Sequence, residues 1–190
     1  MTGGDFAALA AGGLSFAVCA LYDFVGLRAL KRVRALFALS GLLLAGGTAL
    51  LLAGLPWARM WSARPVGCAV LLALAAGSLA LLVKALFFSF PAATGYAGNQ
   101  KVPAVTGGLY ALCRHPGVLF LGLFYLFVWL AARTAAAGWA FALFTALDVT
   151  LAAWEDERVF PQTLDGYGAY KETTPFLLPN AQSVRAAFMK

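Results

Sequence analysis

Five apolar runs, at about residues 6–27, 35–57, 66–90, 117–132 and 135–153, divide this 190-residue chain. A helix needs about 20 residues to cross a hydrocarbon layer of roughly 30 Å, so each run is a candidate span. Only Arg133 and Thr134 separate the last two runs, which predicts an antiparallel helical hairpin. Small residues recur through the first three, as in Ala45-Gly46-Gly47 and Ala75-Ala76-Gly77, and allow close helix approach. The stretch from Pro91 to Thr106, rich in Gly, Ala and Pro, reads as a loop. Beyond Pro161, which is expected to end any helix, the segment with Tyr167, Tyr170, Pro175 and Pro179 is too polar and broken to span. Its aromatic residues are suited to cover a flat ring, so it is expected to fold back as a lid. The pattern predicts an all-α membrane protein forming a single integral domain over residues 1–190. Residues 1–90 form a three-helix part, and 91–190 supply a loop, the hairpin and a fold-back tail.

Composition agrees with this pattern. With 62% hydrophobic residues and a mean hydropathy of +0.82, the chain is no soluble globular domain. Its first five residues carry no Lys or Arg, so the first run reads as a retained helix rather than a cleaved signal. Cys19, Cys68 and Cys113 are too scattered for a disulfide framework or a metal cage. The single histidine excludes bis-histidine haem or a zinc site built on several histidines. A net charge of +6 in so apolar a chain fits the positive-inside bias and anionic headgroups, not nucleic acid. Arg28, Lys31, Arg32, Arg34, Lys101, Arg114, Arg158, Lys171, Arg185 and Lys190 fall on one predicted side. Arg59, Arg64 and Arg133 fall on the other, while Lys84 lies within the third run. This asymmetry places the N-terminus outside and the C-terminus in the cytoplasm.

Against that background the polar positions stand out. Asp23 and Asp148 interrupt spans, and an ionisable group in lipid is a functional suspect. Asp23 is followed closely by Arg28, which also suits a salt-bridged interfacial acid. Asp148 precedes Glu155 by two helical turns, so the two share a face. Arg114, His115 and Pro116 stand at the start of the fourth run, where a guanidinium, unpaired N–H groups and the helix dipole form an anion site. Arg114 equally suits a headgroup anchor. Glu155, Asp156 and Glu157 lie at the negative end of the fifth helix, opposing its dipole by about 0.3–1 kcal/mol apiece. They therefore call for a cationic partner, and the hairpin brings Arg114 beside them. Glu155, in phase with Asp148, is expected to face Arg114, with Asp156 and Glu157 solvated.

Two ordered motifs carry a resemblance. The run from Val105 and Thr106 through Gly108, Tyr110 and Arg114-His115-Pro116 resembles the signature of isoprenylcysteine carboxyl and phospholipid methyltransferases, integral membrane enzymes. Glu155-Asp156, Tyr167, Tyr170, Pro175 and Pro179 are similar to that family's acidic pair, tyrosine pair and closing proline segment. The similarity covers roughly residues 101–179. It implies S-adenosylmethionine as methyl donor, held on the cytoplasmic side by Val105, Gly108, Tyr110, Arg114, His115, Pro116 and Tyr167. It also implies Glu155 and Arg114 as catalytic groups, no metal, and a small or lipophilic acceptor (thiol, carboxylate or amine) arriving from the lipid bilayer. The family's arginine one turn before the glutamate is Leu151 here, and its aromatic residue after the proline is Val118. The glycine before its tyrosine pair is displaced to Gly166 and Gly168. These departures point away from prenylcysteine esterification while leaving methyl transfer in place. On this reading Arg114→Ala and Glu155→Ala each weaken cofactor binding or turnover in folded protein. A sterol-reductase-like enzyme using nicotinamide and a non-catalytic accessory protein are the alternatives.

Overall fold

The computed structural model describes residues 1–27, 33–89 and 101–188, and it is mostly helical. Helices α1 (Gly3–Leu27) and α2 (Val33–Ala53) are followed by the short α3 (Trp57–Ala63) and by α4 (Pro65–Val83), which continues into a π-helical turn at Lys84–Ser89. Strand β1 (Val102–Pro103) and the single turn α5 (Leu109–Leu112) lead to the hairpin of α6 (Pro116–Ala132) and α7 (Ala135–Trp154). A second π-helical turn, Glu155–Val159, passes into α8 (Phe160–Thr163), β2 (Leu164–Asp165), α9 (Tyr167–Thr173) and α10 (Ala181–Phe188).

Four helices are long and apolar enough to cross a membrane: Gly3–Leu27, Ala35–Ala53, Pro65–Phe88 and Ala135–Thr163. Helix α6 is equally apolar but has 17 residues, at the short end of what spans. The hairpin forms where the sequence places it. Arg133 takes the left-handed conformation (φ 52°) that stops α6, and the Thr134 side chain caps α7 by accepting from the Ala137 N–H at 3.3 Å.

Side-by-side packing runs from α2 to α1, α7, α6 and α4. Helices α1 and α2 approach closely, so that a Cβ on Gly47 would lie 2.8 Å from the Ala8 carbonyl oxygen and 2.9 Å from the Gly12 nitrogen. Gly12 in turn lies against the Phe144 ring, which packs on Phe16 and Tyr125 in the middle of the bundle. The Tyr125 hydroxyl meets Thr48 Oγ1 at 2.5 Å, so the buried phenol on α6 has a partner on α2. Outward positions such as Phe6, Leu42, Val66 and Trp139 are apolar and exposed, as a lipid-facing surface requires.

Two features differ from the pattern read in the sequence. The helix does not stop at Pro161 but runs to Thr163, the proline falling in the first turn of α8 directly after the π-helical turn. The segment between α4 and α5 also contributes β1, which pairs in parallel with β2, and the Ala104 N–H donates to the Asp165 carbonyl at 3.0 Å. This small ladder ties residues 102–104 to the chain that follows the hairpin.

Candidate functional site

The two polar islands meet in space, but through a different acid from the one expected. Gly108, at φ 60°, opens α5, and the extended Cys113 swings the chain so that Arg114 and His115 precede Pro116 at the start of α6. Arg114 Nε donates to Asp156 Oδ1 at 2.8 Å and Nη2 to Asp156 Oδ2 at 3.1 Å, a bidentate fork. Its Nη1 donates to the carbonyls of Lys171 (2.9 Å) and Thr174 (2.6 Å). The backbone N–H groups of Arg114 and His115 donate to Pro175 (2.9 Å) and Phe176 (3.2 Å). The expected anion site is therefore filled by the protein's own groups, with Asp156 as the anion.

Asp156 collects further donors. The Tyr167 hydroxyl donates to Oδ1 at 2.6 Å, His115 Nε2 lies 3.3 Å from the same oxygen, and Lys171 Nζ lies 3.0 Å from Oδ2. At 2% exposure Asp156 is not solvated, which corrects the sequence expectation, whereas Glu157 is exposed and pairs with Lys171. The physical reason is the tail. Residues 167–176 fold back over the end of the hairpin and exclude water from the face on which Asp156 projects. His115 is clamped between Phe160 and Phe176, with ring centroids 5.6 and 4.9 Å away. Burial pushes its pKa down to about 4 against the upward pull of Asp156, so the ring is neutral at pH 7 and donates from Nε2. Burial, and then the bond to Asp156, raise the Tyr167 phenol.

Glu155 points elsewhere. Successive residues differ by about 100° around a helix, and the π-helical turn beginning at Glu155 widens the spiral just where the two acids part. Glu155 faces α1, where its carboxyl shares a hydrogen bond with Asp23. The ligand atoms of Cys19, Asp23 and Glu155 all lie within 4.8 Å of one another. The expected facing of Arg114 and Glu155 is thus replaced by two centres back to back. Asp148 stays with Glu155, as the two-turn spacing predicts, and its charge acts on Glu155 and on Cys19. The supposed pairing of Asp23 with Arg28 lies outside the described residues, as do Lys31, Arg32 and Lys190 and the side chain of Arg34.

Of the seven residues expected to hold the cofactor, Arg114, His115 and Tyr167 belong to the Asp156 centre, and buried Pro116 starts α6 beneath it. Tyr110 lies on α5, where its backbone carbonyl accepts from the Tyr170 hydroxyl at 2.6 Å. Burial and then the Glu155 charge push the Tyr110 phenol up to about 12, while its hydroxyl donates to the Ala85 carbonyl at 3.4 Å. Half-buried Val105 follows the ladder, and exposed Gly108 opens α5. A cleft of about 420 Å³ between α5, α9 and α10 is lined by Thr106, Ala111, Gly166, Ala169, Tyr170 and Ser183 among others. It touches neighbours of the predicted residues and none of the seven. Its size is within the range of small-molecule sites.

Sequence reasoning missed Asp156, Lys171, Asp23 and Cys19 as members of these centres. Two signals pointed to them: Tyr167 and Lys171 are four apart on α9, and Cys19 and Asp23 are four apart on α1, so each pair presents polar groups on one face. Cys19, Asp23 and Glu155 offer metal-ligand atoms, although an ion there would have to replace the carboxyl–carboxyl hydrogen bond.

No family model, curated protein or solved structure matches the chain.

Proposed function

We propose that this protein is an integral membrane methyltransferase that uses S-adenosylmethionine and methylates a lipophilic or small acceptor at the cytoplasmic membrane face. One observation carries the reading: the two motif-bearing segments, 105–116 and 154–176, are locked together by the Arg114–Asp156 fork, with Glu155 turned away from it toward Cys19 and Asp23 of α1. Methyl transfer is an in-line displacement that needs positioning and a desolvated, electrostatically suited site more than a chemical auxiliary. An acid and an aromatic face suit a sulfonium cation. Arg114 acts by holding the tail in place over α5, because its donors are already engaged. In this reading α6 is a fifth span, the N-terminus lies outside, and the tail from α8 to α10 is cytoplasmic.

The test is calorimetric titration of the detergent-solubilised protein with S-adenosylhomocysteine, alongside Tyr110→Ala and Glu155→Gln. Saturable binding, weakened in Tyr110→Ala, is the expected result. Absence of binding by protein that unfolds cooperatively on heating overturns the reading, and a nicotinamide titration then tests the reductase alternative. Cysteine labelling from either side of a sealed vesicle checks the orientation. A label on the segment after α10 that enters only from outside would refute it.

A further inference from the structure

We propose that α10 seats its outer face on an anionic bilayer surface, so that this helix senses the headgroup charge of the membrane. The inference rests on the membrane-spanning part of the reading above and is independent of methyl transfer.

The pattern of α10 sets it apart from the long helices. Helices α4 and α6 are apolar on every side, whereas Ala181–Phe188 is two-faced. At 100° per residue, Gln182, Ser183, Ala186 and Ala187 fall on one side, and Ala181, Val184, Arg185 and Phe188 on the other. The first side is turned inward. Helix α10 packs on α5, Ser183 is buried, and Gln182, Ser183 and Ala186 wall the cleft beside Tyr170. The start of the helix fixes this roll: Asn180 Oδ1 accepts from the Ser183 N–H at 2.8 Å, while Ser183 Oγ accepts from the Asn180 N–H at 3.0 Å, a reciprocal cap. The second side is left facing outward, with Phe188 82% and Val184 38% exposed. Leu178, just before the helix, is 71% exposed.

A helix that packs one face on protein and shows large apolar side chains beside a cation on the other has the pattern of a helix lying in a membrane interface. Its position agrees. Helix α5, on which α10 packs, also touches the π-helical turn Lys84–Ser89, in which the span-length helix Pro65–Phe88 ends. Phe87 and Phe88 are exposed there, so they and Phe188 belong to the same end of the bundle. Charge decides among occupants. After Glu172 the sequence has no acid, while Arg185 lies on the outer face and Lys190 follows it. A second copy of this chain pairing through the same face would bring two Arg185 guanidinium groups toward each other. A bilayer rich in anionic headgroups instead takes the apolar side chains into its interface and the guanidinium among its phosphates. The inner face of the same helix walls the cleft, so the cleft is bounded by an element held at the membrane surface.

The test is amide hydrogen exchange, read by mass spectrometry, on the full chain in nanodiscs holding one copy each. Discs of phosphatidylcholine alone are compared with discs containing phosphatidylglycerol. Peptides covering α10 are expected to exchange roughly five-fold more slowly in the anionic discs, the weight of one basic residue at an anionic surface. Wild type in molar salt and Arg185→Gln at low salt are each expected to lose that difference. Phe188→Ser should quicken exchange of α10 in both kinds of disc. Equal exchange in the two lipids, or a difference that survives either the salt or Arg185→Gln, overturns the proposal. Protection of α10 that arises only in discs carrying two copies also overturns it, and assigns the face to a second chain. Release of the wild-type chain from vesicles by alkaline carbonate is the separate result that overturns the membrane-spanning reading.

Discussion

Replacing Asp156 by Asn should unfold this protein at a markedly lower temperature, whereas the same change at its neighbour Glu155 should not. Asp156 is 2% exposed and accepts two bonds from Arg114 and one from Tyr167, with His115 and Lys171 also against it. Asn keeps the shape but turns one acceptor into a donor aimed at donors. It leaves the Arg114 guanidinium, itself 9% exposed, with two carbonyls and no counter-charge. Breaking a buried ion pair from one side costs about 3–5 kcal/mol. Lys171 is one-third exposed and adds little to that figure. In a chain of this length about 1 kcal/mol moves the melting temperature by roughly 2–4 °C, so the fall should be on the order of 6–20 °C. Glu155→Gln removes a charge from a group bonded to another carboxyl, and its melting temperature should stay level or rise. The assay is thermal unfolding by circular dichroism at fixed detergent concentration, with Arg114→Leu, Asp156→Leu and the double variant completing a cycle. The double variant should be less destabilised than the sum of the singles. If Asp156→Asn melts within about 2 °C of wild type, or Glu155→Gln falls equally far, the assignment of the two acids to opposite roles is wrong.

The remaining predictions are briefer. Arg114→Ala, which a reading of the sequence treats as a clean test of cofactor binding, should instead lower the melting temperature about as much as Asp156→Asn, because it strands a buried carboxylate. His115 has its pKa lowered to about 4 in the fold from about 6.5, so the unfolded chain binds more protons between those values. The stability this contributes is fully present above pH 6.5 and is lost as pH falls toward 4, on the order of 3 kcal/mol. The pH dependence of unfolding should be shallower over that window in His115→Gln, and an identical slope would refute it. Gly47→Ala should destabilise by about 1–3 kcal/mol, since its Cβ would press on the α1 backbone. Unchanged thermal unfolding of that variant would mean that α1 and α2 are not in such close contact.

Much of the architecture was legible because it depends on local rules. Long apolar runs make helices of spanning length whatever they pack against, and a two-residue break between Ala132 and Ala135 forces a hairpin. Small residues such as Gly47 marked a possible close contact, though not that Ala8 and Gly12 would supply the other side. The meeting of the 105–116 and 154–176 segments could be anticipated from the hairpin, because the start of α6 must lie beside the end of α7.

Composition and periodicity by themselves determined that the chain is helical, with apolar helices of membrane-spanning length, and that its polar residues gather in two islands. The tertiary structure decided which acid does what. Asp156 was indistinguishable from a solvated residue until α9 and the following strand of tail covered it, and Glu155 could not be matched with Asp23 and Cys19 because α1 lies more than a hundred residues earlier. Helical phase is fixed by sequence spacing, but the neighbour that a given phase meets is fixed by packing between distant segments. Adjacent carboxylates with the same intrinsic chemistry therefore become a buried structural anion and an acid facing the bundle through what is folded against each of them.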